Sequence, residues 1–214
     1  MNDEENEDQG IINIKVTLLG DSGVGKTCII KRYTADDFNL NCGSSIGASY
    51  SQKILKINDK EITLDLWDTA GQEKYRALGR HFYKEAFIVC LVYDITNQLT
   101  FDNLKMWYND LKMYGEKYTV TAVVGNKSDC YEKEEVKEEE ARKYAEEIKS
   151  HYFLVSAKTG DNIELLFKNL VIEYLGPEFR EIRKESIIEK GIDSKSIKVK
   201  KEEQKKNKKK KKCC

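Results

Sequence analysis

One eight-residue stretch limits what this chain can fold into more than any other: Gly20-Asp21-Ser22-Gly23-Val24-Gly25-Lys26-Thr27. It follows the apolar run Val16-Thr17-Leu18-Leu19 and precedes a segment of helical character. A Gly-x-x-x-x-Gly-Lys-Thr pattern between strand and helix is the arrangement of a phosphate-binding loop. Its glycines open backbone conformations closed to residues with a Cβ, so successive N–H groups can turn inward around a phosphate chain. The positive end of the following helix favours the anion. Lys26 can reach the terminal phosphates as a point charge, and the Thr27 hydroxyl can ligate a bridging Mg²⁺. A glycine-rich turn with an exposed lysine is the plainer alternative, and the strand-loop-helix order argues against it. The stretch predicts a nucleoside triphosphate site without choosing the base.

Around this loop, strand-like and helix-like segments alternate, which predicts a single α/β domain within the 214 residues. The formal net charge of +0 conceals an asymmetry. Residues 1–10 carry Asp3, Glu4, Glu5, Glu7 and Asp8 without a base, while Lys201, Lys205, Lys206 and the run Lys208 to Lys212 crowd the other end. The longest apolar run, Ala86 to Tyr93, falls far short of the roughly 18 residues a bilayer span requires. The acidic N-terminus lacks the layout of a secretory signal, so a soluble chain of the cytosol is expected. Cys28, Cys42, Cys90 and Cys130 show no short pairing or metal spacing. Cys90, inside an apolar strand, reads as a small core residue.

Three regions follow: an acidic disordered tail over 1–10, the nucleotide domain over 11–176, and a polybasic linker over 177–214. Within the domain the first strand is expected over Ile11 to Leu19. Tyr33 to Gly47 reads as a long loop, and two strands, Ala48 to Ile57 and Glu61 to Trp67, form an antiparallel hairpin about Asn58-Asp59-Lys60. Further strands are expected at Phe87 to Tyr93, Thr119 to Val124 and Tyr152 to Val155. Helices are expected over Thr100 to Gly115, Glu132 to Lys149 and Asp161 to Leu175, with Val136, Ala141, Ala145 and Ile148 on the inner side of the second. In such open sheets ligands collect at the carboxyl ends of the strands.

Two later stretches belong to the same chemistry. Asp68, closing a strand, can hold Mg²⁺ through water, and Gly71, three residues on in Asp68-Thr69-Ala70-Gly71, can bring its N–H to a γ-phosphate. Asn126-Lys127-Ser128-Asp129 selects the base: a carboxylate accepts two hydrogen bonds, and guanine, unlike adenine, presents two adjacent donors. An aimed Asp129 facing adenine is left unpaired, at about 1–3 kcal/mol. A surface Asn-Lys turn is the plainer reading.

With these motifs in order, residues 12 to 175 resemble the Ras superfamily of small GTPases, and within it the Rab family. The Rab likeness rests on Ile46-Gly47-Ala48-Ser49-Tyr50, the strand Thr63 to Trp67, Lys74-Tyr75-Arg76-Ala77-Leu78, Phe82-Tyr83-Lys84-Glu85-Ala86 and Leu91-Val92-Tyr93-Asp94-Ile95-Thr96. Ala48-Ser49 and Ala77-Leu78-Gly79 are most like the endosomal members. The resemblance implies a G domain: a mostly parallel six-stranded sheet with one antiparallel strand and helices on both faces. It implies that the loop from Asp21 through Ser22, Gly23, Val24, Gly25, Lys26 and Thr27 to Cys28 binds GTP or GDP. Phe38 then stacks on guanine, and Asn126, Lys127, Asp129, Ser156, Ala157 and Lys158 frame it. Thr27, Ser45 and Asp68 serve Mg²⁺, Gln72 and Lys26 are catalytic in hydrolysis, and Ile46, Tyr50, Trp67 and Tyr83 present an effector surface. Without the resemblance, Tyr50, Trp67 and Tyr83 read as ordinary core aromatics. The family's usual partners are implied too: an exchange factor, a GTPase-activating protein, a GDP-dissociation inhibitor and effectors of vesicle traffic, for a chain that is itself a monomer.

Ser45 stands where the family usually has threonine, which keeps the oxygen and loses a methyl contact, so a less ordered GTP-bound loop is expected. Ser22 adds a side chain near the γ-phosphate, expected to slow unaided hydrolysis. The lysine run alone suits either nucleic-acid attraction or an acidic membrane surface. Terminal Cys213-Cys214 matches the Rab pattern for attaching an isoprenoid to each thiol. Two lipid chains with a polybasic run anchor stably, which selects the cytosolic face of an endomembrane, endosomal by the closest likeness, and no nucleic acid. Two alternatives stay open: a GTP-dependent membrane tether that barely hydrolyses, and a phosphotransferase on the same scaffold.

Overall fold

The computed structural model describes residues 12–39, 49–57, 60–69, 84–116 and 119–176. The element order is β1 (Ile12–Leu19), α1 (Lys26–Ala35), β2 (Ser49–Ile57), β3 (Lys60–Asp68), β4 (Ile88–Asp94), α2 (Gln98–Asp102), α3 (Leu104–Tyr114), β5 (Val120–Asn126), a 3₁₀ turn (Ser128–Lys133), α4 (Glu138–Glu147), β6 (His151–Leu154) and α5 (Ile163–Leu175). The chain divides after Tyr174 into two units, the first holding the sheet. No helix among the described residues is long and apolar enough to cross a membrane.

The six strands lie in the order β2-β3-β1-β4-β5-β6. Only β2 runs antiparallel, pairing with β3 from Ser49↔Asp68 to Ile57↔Lys60; the other pairings are parallel. The sheet is the mostly parallel six-stranded one, with a single antiparallel strand, that the resemblance implies. Parallel strands need covering on both faces, and β4 is accordingly buried at every position. Its side chains alternate between faces. Val89, Leu91 and Tyr93 join one core with Phe101, Leu104, Trp107, Leu111, Ala141 and Ala145, and Ile88, Cys90 and Val92 turn to the other side. α1 contacts β2 and β3, and it meets α5 where Tyr33 stacks on Phe167, ring centroids 4.1 Å apart.

Some expected elements change length for identifiable reasons. The helix expected over Thr100 to Gly115 starts at Gln98 and is interrupted at Asn103, whose amide side chain is drawn to Asp21. The helix expected from Glu132 starts only at Glu138, because the N–H groups of Glu135 and Val136 both donate to the Ile95 carbonyl and tie the preceding segment to the end of β4. Tyr33 is not in a loop: α1 continues to Ala35, and Tyr33 is buried. β6 and α5 begin at His151 and Ile163 rather than Tyr152 and Asp161. Cys90 is a core residue as expected, its thiol pushed up to about 12 by burial.

β1 is the strand at which the connections change direction, toward β3 and β2 on one side and β4, β5 and β6 on the other. A crevice at the carboxyl ends of the strands follows from that reversal. The segments after β1, β5 and β6 start at this edge and carry sequence-predicted site residues, and Asp68 closes β3 there.

A candidate nucleotide site at the carboxyl edge of the sheet

The loop after β1 is shaped by close approaches. Gly20 has φ 144, and a Cβ there would lie 2.1 Å from the Val92 carbonyl oxygen; Gly25, φ 97, would put a Cβ 2.3 Å from Nδ2 of Asn126. Neither position accepts a side chain without moving a buried neighbour. Gly25 caps α1, whose first turn has no side-chain cap and no acidic residue. Its leading N–H groups and positive end thus face the loop without an acidic residue of the helix's own first turn.

Lys26, only 5% exposed, donates from Nζ to the carbonyl oxygens of Gly20, 2.8 Å, and Asp21, 2.9 Å. Burial lowers its pKa to about 8, against the opposing pull of Asp68 and Asp21. Its ammonium is held within the concavity that the loop describes. Val24 is fully buried, while Ser22 and Gly23 are exposed at the loop's crest and Cys28 is half-buried on α1. Asp21 is pinned from the side: its two carboxylate oxygens accept from Asn103 Nδ2 at 2.7 Å and Trp107 Nε1 at 2.8 Å.

The β1–β3 register sets Leu18 beside Asp68, and the Thr69 hydroxyl donates to the Leu18 carbonyl at 2.7 Å. Buried Asp68 accepts from the Thr27 hydroxyl at 2.6 Å. A hydroxyl and a carboxylate at the mouth of a phosphate loop are the hard oxygen donors that Mg²⁺ takes. Two such oxygens fit an ion that takes its remaining ligands from phosphate and water, as Mg²⁺ does.

The base-side residues form a second cluster joined to the first. Asn126, 1% exposed, donates from Nδ2 to the Val24 carbonyl at 2.8 Å and accepts at Oδ1 from the Ala157 N–H at 3.1 Å. One side-chain amide thereby fixes the phosphate loop against the segment after β6. Ser156, buried, donates to Asp129 Oδ1 at 2.7 Å, and Lys158 Nζ stands 3.5 Å from Asp129 Oδ2. Burial raises the Asp129 pKa, but hydrogen bonds from Ser156, Cys130, its own backbone and Lys158 outweigh it and leave the group below its ordinary value. An ionised carboxylate is an acceptor only, which suits a pair of donors such as guanine's. Lys127, φ 67, pairs with Asp94 at 2.6 Å.

Arg32 is a site residue the sequence did not disclose. From the last turn of α1 its Nε donates to the Ala157 carbonyl and its Nη2 to that of Lys158, each at 2.9 Å, with the guanidinium carbon 5.9 Å from the centre of the Phe38 ring. Asp94, Asn103 and Trp107 likewise act across long sequence separations. Asp94 closes β4 and meets Lys127 from 33 positions away.

On the antiparallel side, Tyr50 and Trp67 face each other across β2 and β3, ring centroids 5.2 Å apart. Neither is a core aromatic: Tyr50 is 48% exposed and Trp67 half-buried. The Tyr50 hydroxyl donates to Asp65 at 2.6 Å. Ser45, Ile46, Gly71, Gln72, Tyr83, Cys213 and Cys214 lie outside the described residues, as do the tail over 1–10 and the linker from 177 on.

Comparison with known proteins agrees with this arrangement. The model of the Ras family matches residues 15–176. The chain is 38% identical over 156 residues to "Ras-related protein Rab-30" of Homo sapiens, covering 73% of this chain and 77% of that protein. It is 38% identical to "Ras-related protein rab-11.1" of Caenorhabditis elegans, over 74% of this chain and 75% of the relative. With "GTP-binding protein ypt2" of Schizosaccharomyces pombe it shares 33% over 174 residues, 81% of this chain and 83% of the relative. The chain belongs to the Ras family and, within it, to the Rab small GTPases, which hydrolyse GTP.

Proposed function

We propose that this Rab protein is a switch of endomembrane traffic, with Asp129 choosing guanine and the loop from Asp21 to Cys28 holding the phosphates. The observation that carries the assignment is Asn126, which joins the phosphate loop at Val24 to the base side at Ala157 and so makes them one site. Ser156 and Lys158 support the same reading, because both engage the carboxylate that faces the base. Phe38 completes the base site as its stacking surface.

In the reaction, water attacks the γ-phosphorus, the bond to the β-phosphate oxygen breaks, and GDP and phosphate leave. Gln72 orients that water, and Lys26 offsets the charge developing on the phosphate oxygens. Mg²⁺, held through Thr27, Ser45 and Asp68, supplies further charge neutralisation when bound. The described part of the phosphate loop and α1 offers no arginine aimed at the phosphates, since Arg32 is committed to Ala157 and Lys158. An activating partner therefore supplies one, and unaided hydrolysis is slow.

The γ-phosphate, through Ser45 and Gly71, orders the segments that flank β2 and β3, and its loss releases them. Effectors read that difference together with Ile46, Tyr50, Trp67 and Tyr83. The exposure of Tyr50 and its anchoring by Asp65 support this surface. Prenyl groups on Cys213 and Cys214, with the lysine run, hold the protein on an endosomal membrane and create the need for a GDP-dissociation inhibitor.

Two measurements test the proposal. Purified protein is expected to bind GDP in preference to ADP, and Asp129→Asn to abolish that preference; a preference that survives the substitution refutes the assignment of Asp129. Single-turnover GTP hydrolysis is expected to accelerate with a Rab-activating protein. Acceleration by no such partner would favour the membrane tether that Ser22 and Ser45 suggest.

A further inference from the structure

We infer that Arg32 is a positioning residue for guanine selection: it fixes the loop that aims Asp129 by clamping the carbonyls of Ala157 and Lys158 to the end of α1. The inference rests on the assignment of Asp129 as the reader of guanine. Arg32 spends its planar fork on a single task. Nε and Nη2 take adjacent carbonyls of the base loop, each at 2.9 Å, while Nη1 donates to the Asp36 carbonyl at 3.0 Å and to the Asp36 carboxylate at 2.8 Å. Asp36 itself is locked by the left-handed turn that ends the helix, φ 51, with its N–H on the Arg32 carbonyl. The Arg32 side chain is 16% exposed, and its bond to the Ala157 carbonyl is partly buried, so water competes least there; the bonds to Lys158 and Asp36 lie at the surface.

The consequence follows from what the clamped segment touches. Ala157 is held at both ends of its backbone, the N–H by Asn126 and the carbonyl by Arg32. Ser156 and Lys158, on either side of it, both place side chains on the Asp129 carboxylate, which also accepts from Cys130 Sγ in its own loop. A shift of this segment therefore moves the aim of Asp129. α1 begins with Lys26 and Thr27 at the phosphate end and carries Arg32 six residues later, a rigid span of about 9 Å. The helix thus gauges the distance between phosphate loop and base loop. The guanidinium also lies over the Phe38 ring, so the proposed stacking surface is referred to the same point.

Lysine cannot replace this fork, because a single ammonium lacks the two parallel donors fixed in one plane. The full chain and its Arg32→Lys, Arg32→Ala and Asp129→Asn variants are compared by displacement of a fluorescent GDP analogue with GDP and with inosine diphosphate. The latter lacks the exocyclic amine that pairs with Asp129. In Arg32→Lys, GDP affinity is expected to fall about tenfold or more while inosine diphosphate affinity falls less, compressing the preference between the two. Thermal unfolding at saturating GDP checks that Arg32→Lys is folded, and this variant decides the matter if Arg32→Ala is not. Equal loss for both nucleotides means that Arg32 only props up the fold and overturns the inference. An unchanged preference in Arg32→Lys, with Asp129→Asn losing it, overturns the inference alone. A preference retained by Asp129→Asn overturns the assignment on which it rests.

Discussion

Replacing Asn126 by alanine tests the joint on which the whole site depends. The side chain is almost fully buried, donating to the Val24 carbonyl at 2.8 Å and accepting from the Ala157 N–H at 3.1 Å. Alanine takes away the acceptor the structure gives to the Ala157 N–H, a loss of about 1–3 kcal/mol for a buried donor left unpaired. It also removes a bond to the Val24 carbonyl, about 0.5–1.5 kcal/mol net. Together the substitution is expected to cost about 2–4 kcal/mol, or about 5–15 °C in Tm for a domain of this size. Asn126→Asp sharpens the test: it keeps an oxygen for Ala157 but sets another against the Val24 carbonyl, so it is expected to lose at least as much as alanine. Urea unfolding followed by circular dichroism, at two fixed GDP concentrations, separates the fold's own loss from weakened binding. A change below about 0.5 kcal/mol in both variants would refute the claim that this amide joins the two loops.

Lys26 makes a pH prediction. Its pKa near 8 in the nucleotide-free protein must rise when phosphates arrive, so GDP binding is expected to take up a proton around pH 8 and to weaken above it. Titration calorimetry in buffers of different ionisation enthalpy measures the uptake, and proton-neutral binding at that pH would contradict the burial argument. The same depressed pKa means that the unfolded chain holds the extra proton between about 8 and its ordinary 10.5, so this group makes the nucleotide-free fold more stable as pH rises through that window. Gly25→Ala places a Cβ 2.3 Å from Asn126 Nδ2 at φ 97 and is expected to cost about 2 kcal/mol or more, read by chemical denaturation; wild-type stability would show that the loop relaxes freely.

Much of this protein was legible in its sequence because the relevant signals are local. The spacing of Gly20 to Thr27 carries its phosphate chemistry within one turn of chain. The apolar run of β4 marks a strand buried on both faces, and the order of strands and helices leaves few topologies open. Asn126, Lys127 and Asp129 pointed to a base site once the phosphate loop and Asp68 to Gly71 stood before them in the chain. Tertiary structure decided how the pieces hold one another. Asp21 meets Asn103 and Trp107 from 82 and 86 positions away, Asn126 meets Val24 from 102, and Arg32 meets Ala157 from 125. No periodicity encodes such pairs; they exist because a parallel sheet gathers the ends of distant strands at one edge. Such a contact also delayed a helix until Glu138, since the N–H groups of Glu135 and Val136 are committed to the distant Ile95 carbonyl. The residues assigned to the nucleotide were therefore readable one by one, while those that hold them in place became visible only once the chain had folded.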